Sequence, residues 1–380
     1  MQRYKLCDIA KEISIRENNP ATSTYDKFVG LEHYEPGEVV IRKFGSTNML
    51  NSAMKIFRNG DVLVARRNVY LRRAATVSFE GLTSGDSIVL RADNDRIAKL
   101  LPYILNSTSF WNFAEQHADG TMSKRLSPKT LMQYEFYLPS VEEQDKLIDL
   151  LWSIDRTRQA YKQLLLATDD LVKSQFIEMF GDMESNPMGW RKSTLGEECY
   201  YIKDGPHKSP KYIDAEAGIP FISTRNVVNG DGIDWSTAKY ISEEDFEECI
   251  KKCKPEKGDI LYSKGGTTGI AKYIDTDRRF ANWVHVAVLK FGDQLNGRFL
   301  ERMLNMDYCY QQSQRLTKGI ANRDFVLSAI AQVRIYVPPI DLQAQYVSFV
   351  EQSDKSKFEI KETLNTLTTA YKTIIDKSFS

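Results

Sequence analysis

Leu138-Pro139-Ser140-Val141-Glu142-Glu143-Gln144 and Val337-Pro338-Pro339-Ile340-Asp341-Leu342-Gln343 are two copies of one pattern, 199 positions apart. Each stands where a globular stretch gives way to a long helical one. The register holds on both sides. Gly120 answers to Gly319, Leu131 to Ile330 and Asp155 to Asp354. Further upstream, Asn59-Gly60-Asp61-Val62-Leu63 answers to Lys257-Gly258-Asp259-Ile260-Leu261 at a shift of 198, so one insertion or deletion separates the matched blocks. Solenoid repeats run to roughly 20–50 residues. A period this long is instead a tandem pair of whole modules. Such a pair implies pseudo-twofold symmetry, which suits a ligand that is itself nearly twofold, such as duplex DNA.

Downstream of each copy the apolar spacing alternates four and three. The first seam runs Leu147, Leu151, Ile154, Arg158, Tyr161, Leu165, Thr168, Val172. The second, in the same register, runs Tyr346, Val350, Ser353, Lys357, Ile360, Leu364, Leu367, Tyr371. This is a heptad seam. Each run lacks Pro and Gly over about 40 residues, a helix of about 60 Å. Helices of matched register pack most simply on each other, antiparallel between modules joined end to end. The other arrangement open to the sequence is two amphipathic helices, each docked on its own domain.

The first run stops at Phe180-Gly181-Asp182, where Gly supplies a C-terminal cap. Asn186-Pro187-Met188-Gly189 is turn chemistry, and Trp190 opens the second module. The expected organisation is residues 1–140 as one globular domain, 141–182 as a helix, 183–339 as a second globular domain and 340–380 as a second helix. The fold class is α+β: two globular α/β domains in pseudo-twofold arrangement, joined and spaced by an antiparallel coiled coil. Val62-Leu63-Val64, Ser87 to Leu90, Asp259 to Tyr262, Val284 to Leu289 and Val333 to Val337 read as strands. Ile97 to Ala114 and Arg298 to Leu316 read as helices.

The 380 residues are enough for two or three domains, with the 42% apolar and 27% charged composition of a globular protein. No apolar run reaches membrane-spanning length, and the N-terminal stretch lacks the basic-then-apolar pattern expected of a leader. Five scattered cysteines read as reduced thiols of a cytoplasmic protein. Cys249 and Cys253 lack the second pair that a zinc site needs. Basic and acidic residues balance at 51 each, which argues at first against nucleic acid. The distribution matters more. Residues 1–140 carry net +4, 141–182 net −4 and 183–339 net +1, so positive charge belongs to the globular parts and negative charge to the first helical segment.

Enzymatic motifs are missing. There is no Walker or Rossmann glycine loop. Gly265-Gly266-Thr267-Thr268-Gly269 has the wrong spacing, and Val337-Pro338-Pro339-Ile340 lacks the flanking residues of an amino-methyltransferase loop. Four dispersed histidines suggest neither a triad nor a metal cage. Basic loops are present instead. Arg66, Arg67, Asn68, Tyr70, Arg72 and Arg73 crowd one loop. Arg offers a fork of donors to guanine edges and phosphates, and Asn can pair with adenine. The matching loop of the second half holds Lys264, Thr267 and Thr268 among glycines that admit close backbone approach. Lys124-Arg125 and Asn322-Arg323 form a second matched pair, and Lys203, His207 and Lys208 a further cluster. Any one cluster is as readily a solvated basic surface. Equivalent placement in both halves favours a shared role.

At this point the chain resembles the DNA-specificity subunits of type I restriction–modification systems. The resemblance rests on Phe57 to Asn68 with Leu71-Arg72-Arg73 and Ser84, on Gly258 to Leu261, on Pro338-Pro339-Ile340 with Gln343, and on Phe176 to Asp182 followed by Asn186 to Trp190. It covers essentially the whole chain. It implies two target recognition domains, each reading one part of a split DNA sequence, with the helix pair as spacer. It implies two methylation subunits docked on the helices, carrying S-adenosylmethionine and adenine-N6 methylation. Restriction subunits would add translocation and cleavage with ATP and Mg. The chain itself would be non-catalytic, without cofactor or metal. Ala65-Arg66-Arg67-Asn68 stands where the second half has Ser263-Lys264-Gly265-Gly266, so the halves should read different half-sites. The alternatives are an enzyme with an unrecognised nuclease or methylase site, a coiled-coil scaffold whose globular halves bind protein, and a specificity protein of a related phage-defence system.

Overall fold

The computed structural model describes residues 2–121, 123–230, 232–320 and 323–379. The chain forms two compact units, Met1–Leu164 with Ile360–Ser380, and Leu165–Glu359. Both dividing points fall inside the long helices Val141–Phe180 and Ile340–Phe379. Each unit therefore holds one globular body and a stretch of both helices.

The globular body of the first unit is built on the strand order Ala10–Ile13, Ser87–Ala92, Val62–Ala65, Ala74–Val77, Val40–Ile41. The second unit repeats the first four as Cys199–Asp204, Val286–Phe291, Ile260–Ser263, Ala271–Tyr273. Side chains alternate between the faces of a strand. Val62 and Val64 face one apolar cluster with Ile88 and Leu90, whereas Leu63 and Ala65 face another with Val89. Ile260 and Tyr262 divide from Leu261 in the same way. Burial on both faces is why these strands read as unbroken apolar runs. The strand expected over Val284 to Leu289 begins at Val286, because Val286 N–H closes a turn onto the Trp283 carbonyl at 3.0 Å.

The repeated Gly-Asp pair has a structural cause. Gly60 and Gly258 turn at φ +85° and +98°. The carboxylate that follows then reaches back across the turn. Asp61 accepts from Arg58 N–H at 2.8 Å, and Asp259 accepts from Glu256 N–H at 2.7 Å. Each is also paired with a cation on the neighbouring strand, Arg91 to Asp61 at 2.7 Å and Lys290 to Asp259 at 2.6 Å.

Two expected helices break in the same way. Ile97 to Ala114 is two helices, Asp95–Ile104 and Thr108–His117, and Arg298 to Leu316 is likewise Gly297–Leu304 and Asp307–Leu316. At each break an asparagine bonds to backbone instead of continuing the helix. Asn106 donates to the Ala74 carbonyl at 2.7 Å. Asn305 both donates to the Ala271 carbonyl at 3.0 Å and accepts from the Ala271 N–H at 2.9 Å. Ser107 then caps the next helix, accepting from Phe110 N–H at 3.2 Å.

The heptad seam is real. In the first unit Leu151 and Arg158 are buried, and Arg158 lies over the Tyr371 ring at 4.7 Å and donates to Thr368 at 3.3 Å. In the second, Val172 and Phe176 meet Tyr346, whose hydroxyl donates to the Val172 carbonyl at 3.4 Å, and Lys357 pairs with Asp169 at 2.6 Å. Within each unit the two helical stretches run antiparallel. Buried Asp155 and Glu38 meet Arg158 and Arg42 beside the first seam. Burial pushes the Asp155 carboxyl above its ordinary range, against the lowering by Arg42. The first helix ends at Gly181 (φ +77°), whose N–H donates to the Ile177 carbonyl at 2.8 Å.

Candidate nucleic-acid interface

In both units the basic loop is a hairpin end laced to a second turn. In the first, Arg66 N–H donates to the Asp86 carbonyl at 2.9 Å, Asn68 N–H to the Lys124 carbonyl at 2.9 Å, and Leu126 N–H to the Arg66 carbonyl at 2.8 Å. In the second, Lys264 N–H donates to the His285 carbonyl at 2.9 Å, Gly266 N–H to the Arg323 carbonyl at 3.2 Å, and Phe325 N–H to the Lys264 carbonyl at 2.7 Å. The second turn closes on itself identically, Asp119 with Arg125 and Lys318 with Asp324. The internal repeat thus extends to single hydrogen bonds. It also corrects the alignment of the clusters. Lys124 answers to Arg323, and Arg125 to an acid, Asp324.

Side chains differ where the backbone agrees. In the first unit Arg67, Tyr70, Arg72, Lys124 and Arg125 are exposed, and Arg66, Asn68 and Arg73 half-buried. Arg67 donates to Ser123 at 3.1 Å, and Ser123 to Asn68 at 3.1 Å. Asp86 lies between Arg67 and Arg125 at 3.7 and 3.6 Å. Arg72 pairs with Glu115 at 3.1 Å, and Lys124 donates to the Glu115 carbonyl at 3.2 Å. Arg73 donates to the carbonyls of Leu31 and Arg67. Asn68 and Arg72 hold left-handed backbone at φ 55° and 48°. For an arginine that conformation is disfavoured, and it turns the loop so that Tyr70 and Arg72 face solvent. The result is one patch of cations around Tyr70, partly tied down by Asp86 and Glu115.

The second unit is organised differently. Lys264 is buried and paired with Asp324 at 3.1 Å and Asp204 at 3.4 Å. Thr268 is also buried, with its hydroxyl 2.9 Å from that of Thr317. These two side chains position the loop from beneath, and Thr267 remains exposed on it. Arg323 is half-buried and bonded to Gln314 and Thr268. Asn322 lies outside the described residues. Lys203, His207 and Lys208 are exposed, Lys203 over the Tyr201 ring at 5.0 Å. The chain runs from Lys203 through Asp204, the partner of Lys264, which ties that cluster to the base of the loop.

Sequence reasoning missed a cleft of about 580 Å³ above this loop, lined by Thr224, Arg225, Gly266, Trp283, His285 and Arg323, among others. Among the described residues its lining carries two guanidiniums and an imidazole and no carboxylate. The signal was available. Carrying the 199-residue register to Asp86 gives His285, a loss of negative charge beside the loop. Among the described residues no group of three or more His, Cys, Asp or Glu could hold a metal ion, and no helix is long and apolar enough to cross a membrane.

With this geometry, residues 187–369 match the type I restriction modification DNA specificity domain. The second half of the chain is thus similar to the specificity domain of type I restriction–modification systems. The matched stretch contains the loop at 264–269, the cleft and most of the second long helix. A curated relative, the type I restriction enzyme MjaIX specificity subunit of Methanocaldococcus jannaschii, is 21% identical over 328 residues, covering 81% of this chain and 75% of its own. The fold is that of solved members of the family. A chain from a type I R-M system, solved in a study of complex assembly and conformational transition, aligns with TM-score 0.59 at 22% identity, covering 99% of this chain and 97% of its own. The S subunit from M. genitalium aligns with TM-score 0.58 at 16% identity, covering 100% and 96%.

Proposed function

We propose that this chain chooses the DNA site for a type I restriction–modification assembly. Each unit reads one half of a bipartite target, and partner subunits perform the chemistry. The observation that carries this reading is the pair of hydrogen-bonded loops. The same backbone frame presents different side chains in the two units, as two readers of different half-sites require. S-adenosylmethionine, ATP and Mg would then belong to the partners.

Methylation subunits would dock on the long helices. The first leaves Leu150, Leu164, Leu166, Leu171 and Ile177 exposed, and the second leaves Phe358 65% exposed. Apolar side chains outside the seam mark a protein-binding face. The test is reconstitution with the neighbouring methylation subunit, followed by methylation mapping across a genome. A split motif with adenine-N6 methylation in both halves is expected. No duplex binding even with partners present would favour the scaffold reading. Methylation or cleavage by the isolated chain would favour the enzyme reading.

A further inference from the structure

The cleft of the second unit exists because of two missing side chains. A Cβ at Gly265 would stand 2.5 Å from the His285 ring, and Gly266 takes φ +72° with open space around it. In the first unit the same two positions are Arg67 and Asn68, joined through Ser123. The floor differs too. His285 replaces Asp86 and packs against the Trp283 ring at 4.6 Å between centroids. The Trp283 indole N–H is buried without a hydrogen-bond partner among the described residues.

One wall is the short helix Thr224–Val228, pinned around Arg225. Thr224 donates to the Gly265 and His285 carbonyls at 2.9 and 3.2 Å. Asn226, 2% exposed, accepts from Ser223 N–H at 2.8 Å and donates to the Asp234 carbonyl at 2.9 Å. Between them Arg225 is exposed, and its guanidinium makes no hydrogen bond or ion pair among the described residues. That sets it apart from Arg67, Arg72, Arg73, Arg125 and Arg323, which all have protein partners. The equivalent position in the first unit can be read from the sheets. Strand residue Val29 pairs with Thr83 as Ile222 pairs with Asn282. Three residues further on stand Glu32 and Arg225, with opposite charges.

We infer that Arg225, at the rim of this cleft, is a base-reading residue of the second unit and contacts a guanine in the second half-site. A rigid backbone with an uncommitted planar fork is what bidentate pairing to guanine O6 and N7 requires. The carboxylate-free lining favours an electronegative base edge. The inference rests on the proposed function and deepens it.

The test uses the full chain assembled with its methylation subunits, as wild type, Arg225→Ala and Arg225→Lys, with methylation mapping and duplex binding at several salt concentrations. Both variants should lose about 5- to 150-fold discrimination at one G·C position of the second half-site. The first half-site, still read, shows that the variant complex is folded. Arg225→Lys keeps the charge and should keep affinity for non-specific duplex. An unchanged motif in either variant overturns the inference and leaves the proposed function standing. Equal weakening on all sequences, with the motif retained, makes Arg225 a phosphate contact and also overturns it. A wild-type assembly that marks no split motif overturns the proposed function and this inference together.

Discussion

Lys124 and Lys264 show what position does to one residue type. Lys124 is exposed, and its ammonium is held by a single backbone carbonyl, so it can turn to a phosphate at small cost. Lys124→Ala should weaken binding to all duplexes alike and lower the slope of log affinity against log salt by about one. Retained slope in the assembled complex would remove Lys124 from the interface. Lys264 is spent on Asp204 and Asp324. Lys264→Ala should therefore act on stability, because it leaves buried Asp204 with one cation fewer. Breaking a buried pair costs about 3–5 kcal/mol, with the lower end expected because Lys252 also holds Asp204, at 2.7 Å. Unchanged thermal unfolding with lost DNA affinity would place Lys264 in the interface after all. Sequence could not separate these lysines. Both sit in short polar loops, and the acids that bury Lys264 lie 60 positions away on either side. Arg225 was illegible for the opposite reason, since it has no basic neighbours and belongs to no cluster.

At the scale of elements, periodicity was the readable part. The heptad seam, the Gly181 stop and the unbroken apolar strands follow from spacing and from burial on one or both faces. The breaks at Asn106 and Asn305 were not readable, because the competing bonds go to strands more than 30 positions away. Asn305→Ala orphans the N–H and the carbonyl contact of buried Ala271 and should cost about 1–3 kcal/mol. Asn106 donates to the Ala74 and Pro102 carbonyls at 2.7 and 2.6 Å but accepts from no strand N–H among the described residues, so Asn106→Ala orphans no buried donor and should cost less. Thermal unfolding checks the order, and equal costs would mean that the breaks are set by packing alone. A second device sits where Glu256 meets Lys254 and Lys290 at 2.7 and 2.8 Å. Hydrogen bonds from these two hold its carboxyl down to about 2. A depressed carboxyl contributes stability that is present above its unfolded value near 4.5 and lost as pH falls through about 2. Asp259, on the same Lys290, is pushed up by burial and works the other way. Glu256→Gln should flatten the acid-side fall of the urea midpoint between those limits. An unchanged profile would mean that other carboxylates control it.

For the whole molecule the 199-residue register carries two consequences. The two hydrogen-bonded loops lie within single globular bodies, so on the proposed function replacing 190–337 by the segment of a relative should change one half of the methylated motif. A change in both halves would end the idea of two independent readers. The helices carry the second consequence. Their seams match residue for residue through five turns or more, as a spacer of fixed length would require. Deleting 161–167 and 360–366 removes one heptad from each and leaves the pairs of Arg158 with Thr368 and of Lys357 with Asp169 intact in sequence. Seven residues of helix are about 10.5 Å, close to three base pairs at 3.4 Å each. The number of unread bases between the half-sites should therefore change by about three, with both half-sites kept. Methylation mapping of the shortened chain with its partners gives the spacing directly. The original spacing would mean that the helices hold the assembly together without measuring the DNA.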